Sequence, residues 1–154
     1  MDKSKNKEVN IQLLKVIEIE SFLNFDALNS IKDFNVDHME LEIEMNIDVR
    51  EEVDQVILAM MIKYYYPSEN TKVELLILKT SNVFQVVDVK EFFSKYTTNV
   101  VDKFGILPNL LSVALGTLRG IIVVRTVGTI LENHPLPMLN PVELCRNLEK
   151  NQKK

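Results

Sequence analysis

The chain has 154 residues, of which 46% are hydrophobic and 26% are charged, with a net charge of −4 at pH 7. These values are ordinary for a soluble globular domain, which buries about 70% of its unfolded surface at this size. One cysteine and two histidines exclude an internal disulfide and make a zinc site unexpected.

Charge is unevenly distributed along the chain. Residues 1–103 carry 12 basic and 19 acidic side chains (net −7), whereas residues 104–154 carry 6 and 3 (net +3). An acidic first part is not typical of nucleic-acid binding, which needs a basic patch for the phosphates. It indicates either solubility alone or a partner with basic groups.

The ends of the chain are polar. The N-terminal MDKSKNKEV lacks the apolar stretch of a signal peptide, so we expect a cytoplasmic protein. We predict a disordered tail at 1–8, a single domain at 9–150 and a C-terminal tail at 151–154.

Four strands are predicted in the first part of the chain. Apolar and polar residues alternate in 9–21, and most regularly in 37–49, where every second residue from Met39 to Val49 is apolar. This period of two places one apolar and one polar face on a strand. Two further strands, 53–66 and 71–87, are separated by the turn sequence PSEN. Strands joined without helices predict an antiparallel, meander-like sheet.

The long connection 22–36 breaks this alternation. It carries Phe22, Phe25 and Phe34 among polar residues. A connection of this length is often functional, so these side chains either cover the core or contact a ligand.

Helices are predicted in the last part of the chain. We expect them at 88–105, 106–126 and 142–152, with an irregular, proline-containing segment at 127–141. The fold class is therefore α+β: a four-stranded antiparallel sheet, then a long helix packed on it and a short C-terminal helix.

The helix at 106–126 is the most apolar stretch. The longest charge-free run here, 104–118, has 15 residues, which is short of the ~20 that a bilayer requires. We therefore expect a buried or interfacial helix rather than a membrane span. Gly116 and Gly120 lie one turn apart opposite the apolar stripe and would allow a second backbone to approach. With Arg119, they are our candidates for a subunit interface.

No catalytic motif is present. The sequence lacks a glycine-rich phosphate loop, zinc-ligand spacing and a nucleophile motif. We expect no enzyme, no cofactor and no metal, and an inert, packed Cys145.

Several short segments resemble the SecB family of bacterial preprotein chaperones. The resemblance spans residues 9 to about 148, and the segments that carry it are IQ at 11–12, VFQV at 83–86, LPNLL at 107–111, Arg119 with RT at 125–126, and LPMLNPV at 136–142. The family's glycine pair is replaced here by Ser81 and Asn82.

This resemblance implies an ATP-independent holdase that keeps unfolded precursors competent for translocation. It also implies a dimer of dimers with the long helices at its centre. Among the family's acidic residues for the SecA motor, Glu18 is present, whereas Phe22 and Ile77 replace others. We therefore expect weak binding to the motor.

Multivalent, promiscuous capture needs an apolar, aromatic groove. The candidate residues for polypeptide binding are Phe22, Phe25, Phe34, Tyr64, Tyr65, Tyr66, Phe84, Leu144 and Leu148; ordinary core packing is the alternative for many of them. The candidate residues for a basic partner are Glu18, Glu20, Glu40, Glu42 and Glu44. A protein dedicated to one client, such as an antitoxin, is the second functional hypothesis, and a small enzyme is the third.

Overall fold

The computed structural model describes residues 8–97 and 99–152, with side chains to residue 150. The strands are β1 (Ile11–Leu23), β2 (Glu40–Arg50), β3 (Gln55–Ser68), β4 (Thr71–Val86), β5 (Phe93–Tyr96) and β6 (Asn99–Asp102). The helices are α1 (Phe25–Ser30), α2 (Val89–Phe92), α3 (Leu107–Arg125) and α4 (Pro141–Gln152). Most of the predicted N-terminal tail and the last two residues of the C-terminal tail lie outside the described residues, and α4 extends to residue 152.

The fold is α+β, as predicted, with a four-stranded antiparallel sheet in the order β1-β4-β3-β2. Only β2, β3 and β4 form a meander. The long connection after β1 carries α1 and moves the chain across the sheet, so β1 pairs with β4 instead of β2. As a result β1 and β2 are the two edge strands.

Helix α3 covers one face of the sheet, which we call the covered face. Its seven buried residues, among them Leu111, Leu115 and Leu118, pack with buried side chains of β3 and β4 such as Leu58 and Leu78. By length and composition α3 could cross a membrane, but here its apolar stripe forms the protein core. The other side of the sheet, the open face, has no helix packed on it among the described residues.

The prediction of a helix at 88–105 is wrong. The segment forms only the four-residue α2, followed by the hairpin β5–β6, in which Phe93 pairs with Asp102. The β-branched Val100 and Val101 lose side-chain freedom in a helix and fit a strand, so local preference decides against the apolar spacing. The Asp102 carboxylate then accepts hydrogen bonds from the backbone N–H groups of Ile106 (3.1 Å) and Leu107 (2.7 Å) at the start of α3.

Strand β1 is present as predicted, but it does not have one buried face. None of its 13 residues is fully buried in the single chain. Irregularities between Leu13 and Lys15 and between Glu18 and Glu20 shift the register with β4. Each extra residue reverses which side chains point to which face, so apolar residues appear on both.

Candidate functional site

A groove runs along β2 at the edge of the sheet. One wall is formed by the partly buried side chains of Met39, Leu41, Ile43 and Met45. The other is formed by the loop 133–137 and by α4. The sequence predicted the alternation of β2 but not this groove, because its second wall comes from residues about 100 positions away.

Two cavities lie in this groove. The first, of about 350 Å³, is lined mostly by apolar side chains and we call it the upper cavity; its residues are Val36, Met39, Leu41, Tyr64, Asn133, His134, Pro135 and Pro137. The second, of about 610 Å³, is the lower cavity; its residues are Ile43, Glu44, Met45, Leu144, Asn147, Leu148 and Lys150. Leu144 and Leu148, both predicted for polypeptide binding, therefore line the groove.

An aromatic cluster stands beside the upper cavity. The Phe34 ring stacks on Tyr66 at 5.2 Å between centroids and contacts His134 at 5.3 Å. The Tyr66 hydroxyl accepts a hydrogen bond from the Asn35 backbone N–H at 3.0 Å. Phe34 and Tyr66 were both predicted for the groove, and here they connect the segment before β2 to the loop that forms the opposite wall.

Arg119 fixes that loop. Its Nε donates to the Leu136 carbonyl (3.0 Å) and its Nη2 to the Pro137 carbonyl (3.1 Å). Sequence analysis predicted Arg119 for a subunit interface, which stays a prediction; within the chain it holds the groove wall. Gly116 and Gly120 are exposed, and a side chain added at either would meet no atom of the chain within 4 Å.

Tyr64 is the largest polar side chain that lines the upper cavity. It is 0% exposed, and its hydroxyl has no hydrogen-bond partner among the described residues. Burial raises the pKa of Tyr64 to about 12, so the hydroxyl keeps its proton at neutral pH.

Phe22 and Phe25 lie at the opposite edge of the sheet. They line a cavity of about 270 Å³ with Leu23, Leu76 and Ile122, which we call the β1 cavity. Leu23, Leu76, Tyr64 and Leu41 are neighbours in one row across the four strands. The β1 cavity and the upper cavity therefore lie at the same end of the sheet, about 14 Å apart by strand spacing.

Two further residues predicted for polypeptide binding also lie outside the groove. Phe84 is 1% exposed and belongs to the core, so it offers no surface to a ligand. Tyr65 points to the open face, where the Lys72 ammonium lies 5.2 Å from its ring centroid. The period of two on β3 separates Tyr65 from Tyr64 and Tyr66, which sequence analysis had grouped together.

The predicted acidic residues form ion pairs within the chain. The Glu40 carboxylate is 2.6 Å from the Lys72 ammonium, and Lys63 lies 3.8 and 3.9 Å from Glu42 and Glu44. These pairs are on the open face. Glu18 does not belong to this group on the open face. Its carboxylate pairs with the Arg125 guanidinium of α3 at 2.8 Å.

Glu20 is on the open face of β1, opposite Lys79 in the register. The row Glu40, Glu42 and Glu44 on β2 and Glu20 on β1 therefore share a face but not a strand. With lysines between them, the acidic surface is less negative than the sequence indicated.

The groove offers apolar surface and few reactive groups. Among the described residues, no group of three or more His, Cys, Asp or Glu side chains could hold a metal ion. Burial raises the pKa of the Cys145 thiol to about 11, which keeps it protonated and unreactive.

Comparisons with known proteins find similarity in structure only. No protein-family profile and no curated protein sequence matches the chain. Among solved structures, the chain is similar to the Mycobacterium tuberculosis Rv1957 SecB-like chaperone in complex with a ChAD peptide from the Rv1956 HigA1 antitoxin. Identity is 11%, the TM-score is 0.38, and the match covers 86% of this chain and 90% of that one.

A second similar structure is a protein of unknown function from Streptococcus agalactiae. Its identity is 10% and its TM-score 0.34, with 86% of this chain and 96% of that chain covered. At these values, neither structure assigns the chain to a family.

Proposed function

We propose that this protein is an ATP-independent holdase that binds unfolded polypeptides in the groove along β2 and keeps precursors competent for translocation in the cytoplasm. The observation that carries the proposal is the pair of cavities beside an edge strand. An edge strand presents backbone N–H and C=O groups that an extended polypeptide can pair with. The cavities then receive alternate side chains of that polypeptide.

Capture of this kind needs neither a nucleotide nor a catalytic residue. Each cavity contributes a weak apolar contact, and several contacts on one chain add avidity. Methionines such as Met39 and Met45 in the wall adapt to different side chains. The groove thus suits clients that differ in sequence.

The test is suppression of aggregation of a chemically denatured, slow-folding protein without nucleotide. We expect the native chain to delay aggregation at micromolar concentration and Leu148→Glu, in the lower cavity, to weaken capture at least tenfold. Val142→Glu, on an exposed position of the same helix, is the matched control. If the native chain delays the aggregation of no client, the proposal is wrong.

A protein dedicated to one client, such as an antitoxin, is the second candidate. The polar side chains of Asn133 and His134 in the lining of the upper cavity favour it, because polar groups in a mostly apolar cavity select for ligands that form hydrogen bonds with them. A panel of unrelated denatured proteins separates the two: similar affinities support the general holdase, and binding of a single member supports the dedicated protein.

We further propose a homo-oligomer, most simply a tetramer. Its support is the exposed apolar surface of α3 and β1, which includes Val113, Val123, Val124, Ile17 and Ile19. Patches of this kind on a soluble chain are typical of subunit contacts. Gly116→Leu, in this surface, should weaken assembly by overpacking, and light scattering that shows a monomer at micromolar concentration would exclude the tetramer.

We also propose weak binding to the SecA motor. The acidic residues of the open face would contact a basic segment of the motor, but their pairing with Lys63 and Lys72 leaves little net charge. Exposed pairs contribute about 0–1 kcal/mol each and are screened by salt. Calorimetry at low and high salt tests this, and tight binding that ignores salt would contradict an electrostatic contact.

A further inference from the structure

The β1 cavity has no part in the proposed capture of polypeptides along β2. It lies at the end of β1, where residues of β1 and β4 meet the last turn of α3, and its volume is about 270 Å³. Phe22 and Phe25 belong to its lining and are 45% and 57% exposed. The cavity is therefore open to solvent, and a ligand can reach its walls.

The lining combines apolar side chains with one cation. Phe25, Leu23 and Ile122 are among its apolar members. Among the described residues that line it, Arg125 is the only charged one, and the Arg125 side chain is 54% exposed. Ligand sites are typically mostly apolar, with a few polar groups that fix the orientation of the ligand. The small volume suits a short hydrocarbon chain or a single apolar side chain.

The Arg125 guanidinium is held at the cavity by Glu18. Its Nη2 donates to both carboxylate oxygens of Glu18, at 2.8 and 3.0 Å. This pair uses one of the three guanidinium nitrogens. Because an arginine carries five N–H donors in a planar fork that matches a carboxylate, the other two nitrogens, Nε and Nη1, suit a second carboxylate.

We propose that the β1 cavity binds a carboxylate that carries a short apolar chain. The chain lies against Phe25 and Leu23, and the carboxylate accepts hydrogen bonds from Arg125. Two sources share this chemistry: a free alkanoic acid, and the C-terminal residue of a polypeptide that ends in an apolar side chain. The inference does not rest on the proposed holdase activity, since the β1 cavity and the groove lie at opposite edges of the sheet.

The first test is calorimetry of the full chain with octanoate and octylamine, which have the same hydrocarbon chain and opposite charges. We expect a Kd of about 1 mM or below for octanoate and binding of octylamine that is about tenfold weaker or more. Arg125→Gln should weaken octanoate binding about tenfold or more, because it removes a charge-assisted hydrogen bond. Equal binding of the two probes, no binding of octanoate, or an unchanged Kd for Arg125→Gln overturns the inference.

The matched control is Arg50→Gln. Arg50 lies at the other edge of the sheet, its side chain is 57% exposed, and it also pairs with a carboxylate, that of Asp48 at 3.5 Å. This variant should leave the Kd of octanoate unchanged. A loss equal to that of Arg125→Gln would mean that octanoate responds only to the net charge of the protein, and the inference would be wrong.

Glu18→Gln separates binding by charge from support of the cavity. It removes the negative charge that competes for Arg125, so octanoate should bind about threefold more tightly. Arg125→Gln and Glu18→Gln thus have opposite expected effects. If both variants weaken binding equally, the ion pair only maintains the shape of the cavity and the proposal fails.

Methyl NMR of the same titration locates the ligand. We expect octanoate to shift the methyl signals of Leu23 and Ile122 and not those of Leu41 and Ile43, and shifts confined to the latter pair would place it in the groove and overturn the inference. A hexapeptide that ends in leucine, with its C-terminus free or amidated, separates the two sources. Binding of the free form alone supports a polypeptide C-terminus, binding of octanoate without either peptide supports a free acid, and equal binding of both peptides contradicts a role for the carboxylate.

Discussion

The two edge strands of the sheet carry similar apolar patterns but have different surroundings. β2 places its apolar residues on the covered face, where Ile47 and Val49 are buried and α4 and the loop 133–137 complete a groove. β1 lies at the other edge, and its Ile17 and Ile19 remain exposed. Glu18 of β1 forms an ion pair with Arg125 of α3.

This difference indicates separate roles for the two edges. The β2 edge carries the groove, whose two walls come from the same chain, and this suits an extended ligand. Within the part of the chain that the structure describes, no element covers the apolar residues of the β1 edge, which suits a large, flat partner such as a second copy of the chain. The predictions that follow test whether the two edges differ in this way, beginning with the largest expected effect.

The first prediction compares two isoleucines on the edge strands. Ile47 on β2 is 7% exposed and Ile17 on β1 is 42% exposed. Ile47→Ala should lower the free energy of unfolding by about 2–5 kcal/mol, because it removes buried contacts and leaves a cavity. Ile17→Ala should cost less than about 1 kcal/mol in the monomer. Urea denaturation at low protein concentration measures both, and equal losses would contradict the comparison.

The second prediction concerns self-association through β1. Ile19→Lys places a charge on an exposed apolar side chain, and burying that charge between subunits should weaken assembly by about 2–3 kcal/mol. Sedimentation velocity measures the shift toward smaller species. Val53→Lys alters a similarly exposed residue in the turn between β2 and β3 and is the control. An unchanged assembly with Ile19→Lys would remove β1 from the interface.

The third prediction compares client capture at the two edges. Phe25→Ala changes the β1 cavity and should weaken capture much less than Leu148→Glu does, because the client lies in the groove along β2. Tyr65→Ala changes only the open face and should have little effect on capture in the groove. The aggregation assay measures both variants. A large loss with Tyr65→Ala would place the clients on the open face instead.

The fourth and smallest effect is a pH dependence at the β2 edge. A hydrogen bond from the Lys95 ammonium, 2.8 Å away, is the main cause that holds the pKa of Asp48 below its usual value. The folded pKa is thus lower than the unfolded one, so the stabilisation is present above about pH 4 and is lost as the pH falls through the folded pKa.

Because both partners of this pair are exposed to solvent, the stabilisation should be below about 1 kcal/mol. Asp48→Asn should therefore destabilise slightly at pH 7 and not at pH 2. Urea denaturation at the two pH values measures the difference. If Asp48→Asn lowers the stability by the same amount at both pH values, Asp48 acts by packing and not by charge.

Much of the fold could be predicted from local patterns. The strict alternation of 37–49 fixes β2 as a strand with one apolar face, since only a period of two separates those residues. The spacing of Leu111, Leu115, Leu118 and Ile122 likewise fixes the buried side of α3. For these elements the sequence predicted which residues are in the core, because apolar residues that repeat with the period of the element lie on one face, and that face is buried.

The candidate site was predicted only in part, because its parts are distant in sequence. The sequence identified Phe34, Tyr66, Leu144 and Leu148 as surface aromatic or apolar candidates, and all four lie at the groove or beside it. It grouped Tyr64 to Tyr66 together, although neighbouring residues on a strand point to opposite faces. A strict application of the strand period would have separated Tyr65 from the other two.

The sequence by itself determined the helices α3 and α4, the four long strands and the apolar sides of β2 and α3, because these follow from interactions between neighbouring residues. Only the tertiary structure decided that β1 pairs with β4, that Arg119 holds the loop 133–137, and that the Tyr64 hydroxyl is left without a partner in the described chain. The first two facts depend on contacts between residues that are 17 to 75 positions apart in the sequence. Such contacts arise from how whole elements pack, and no local pattern encodes them.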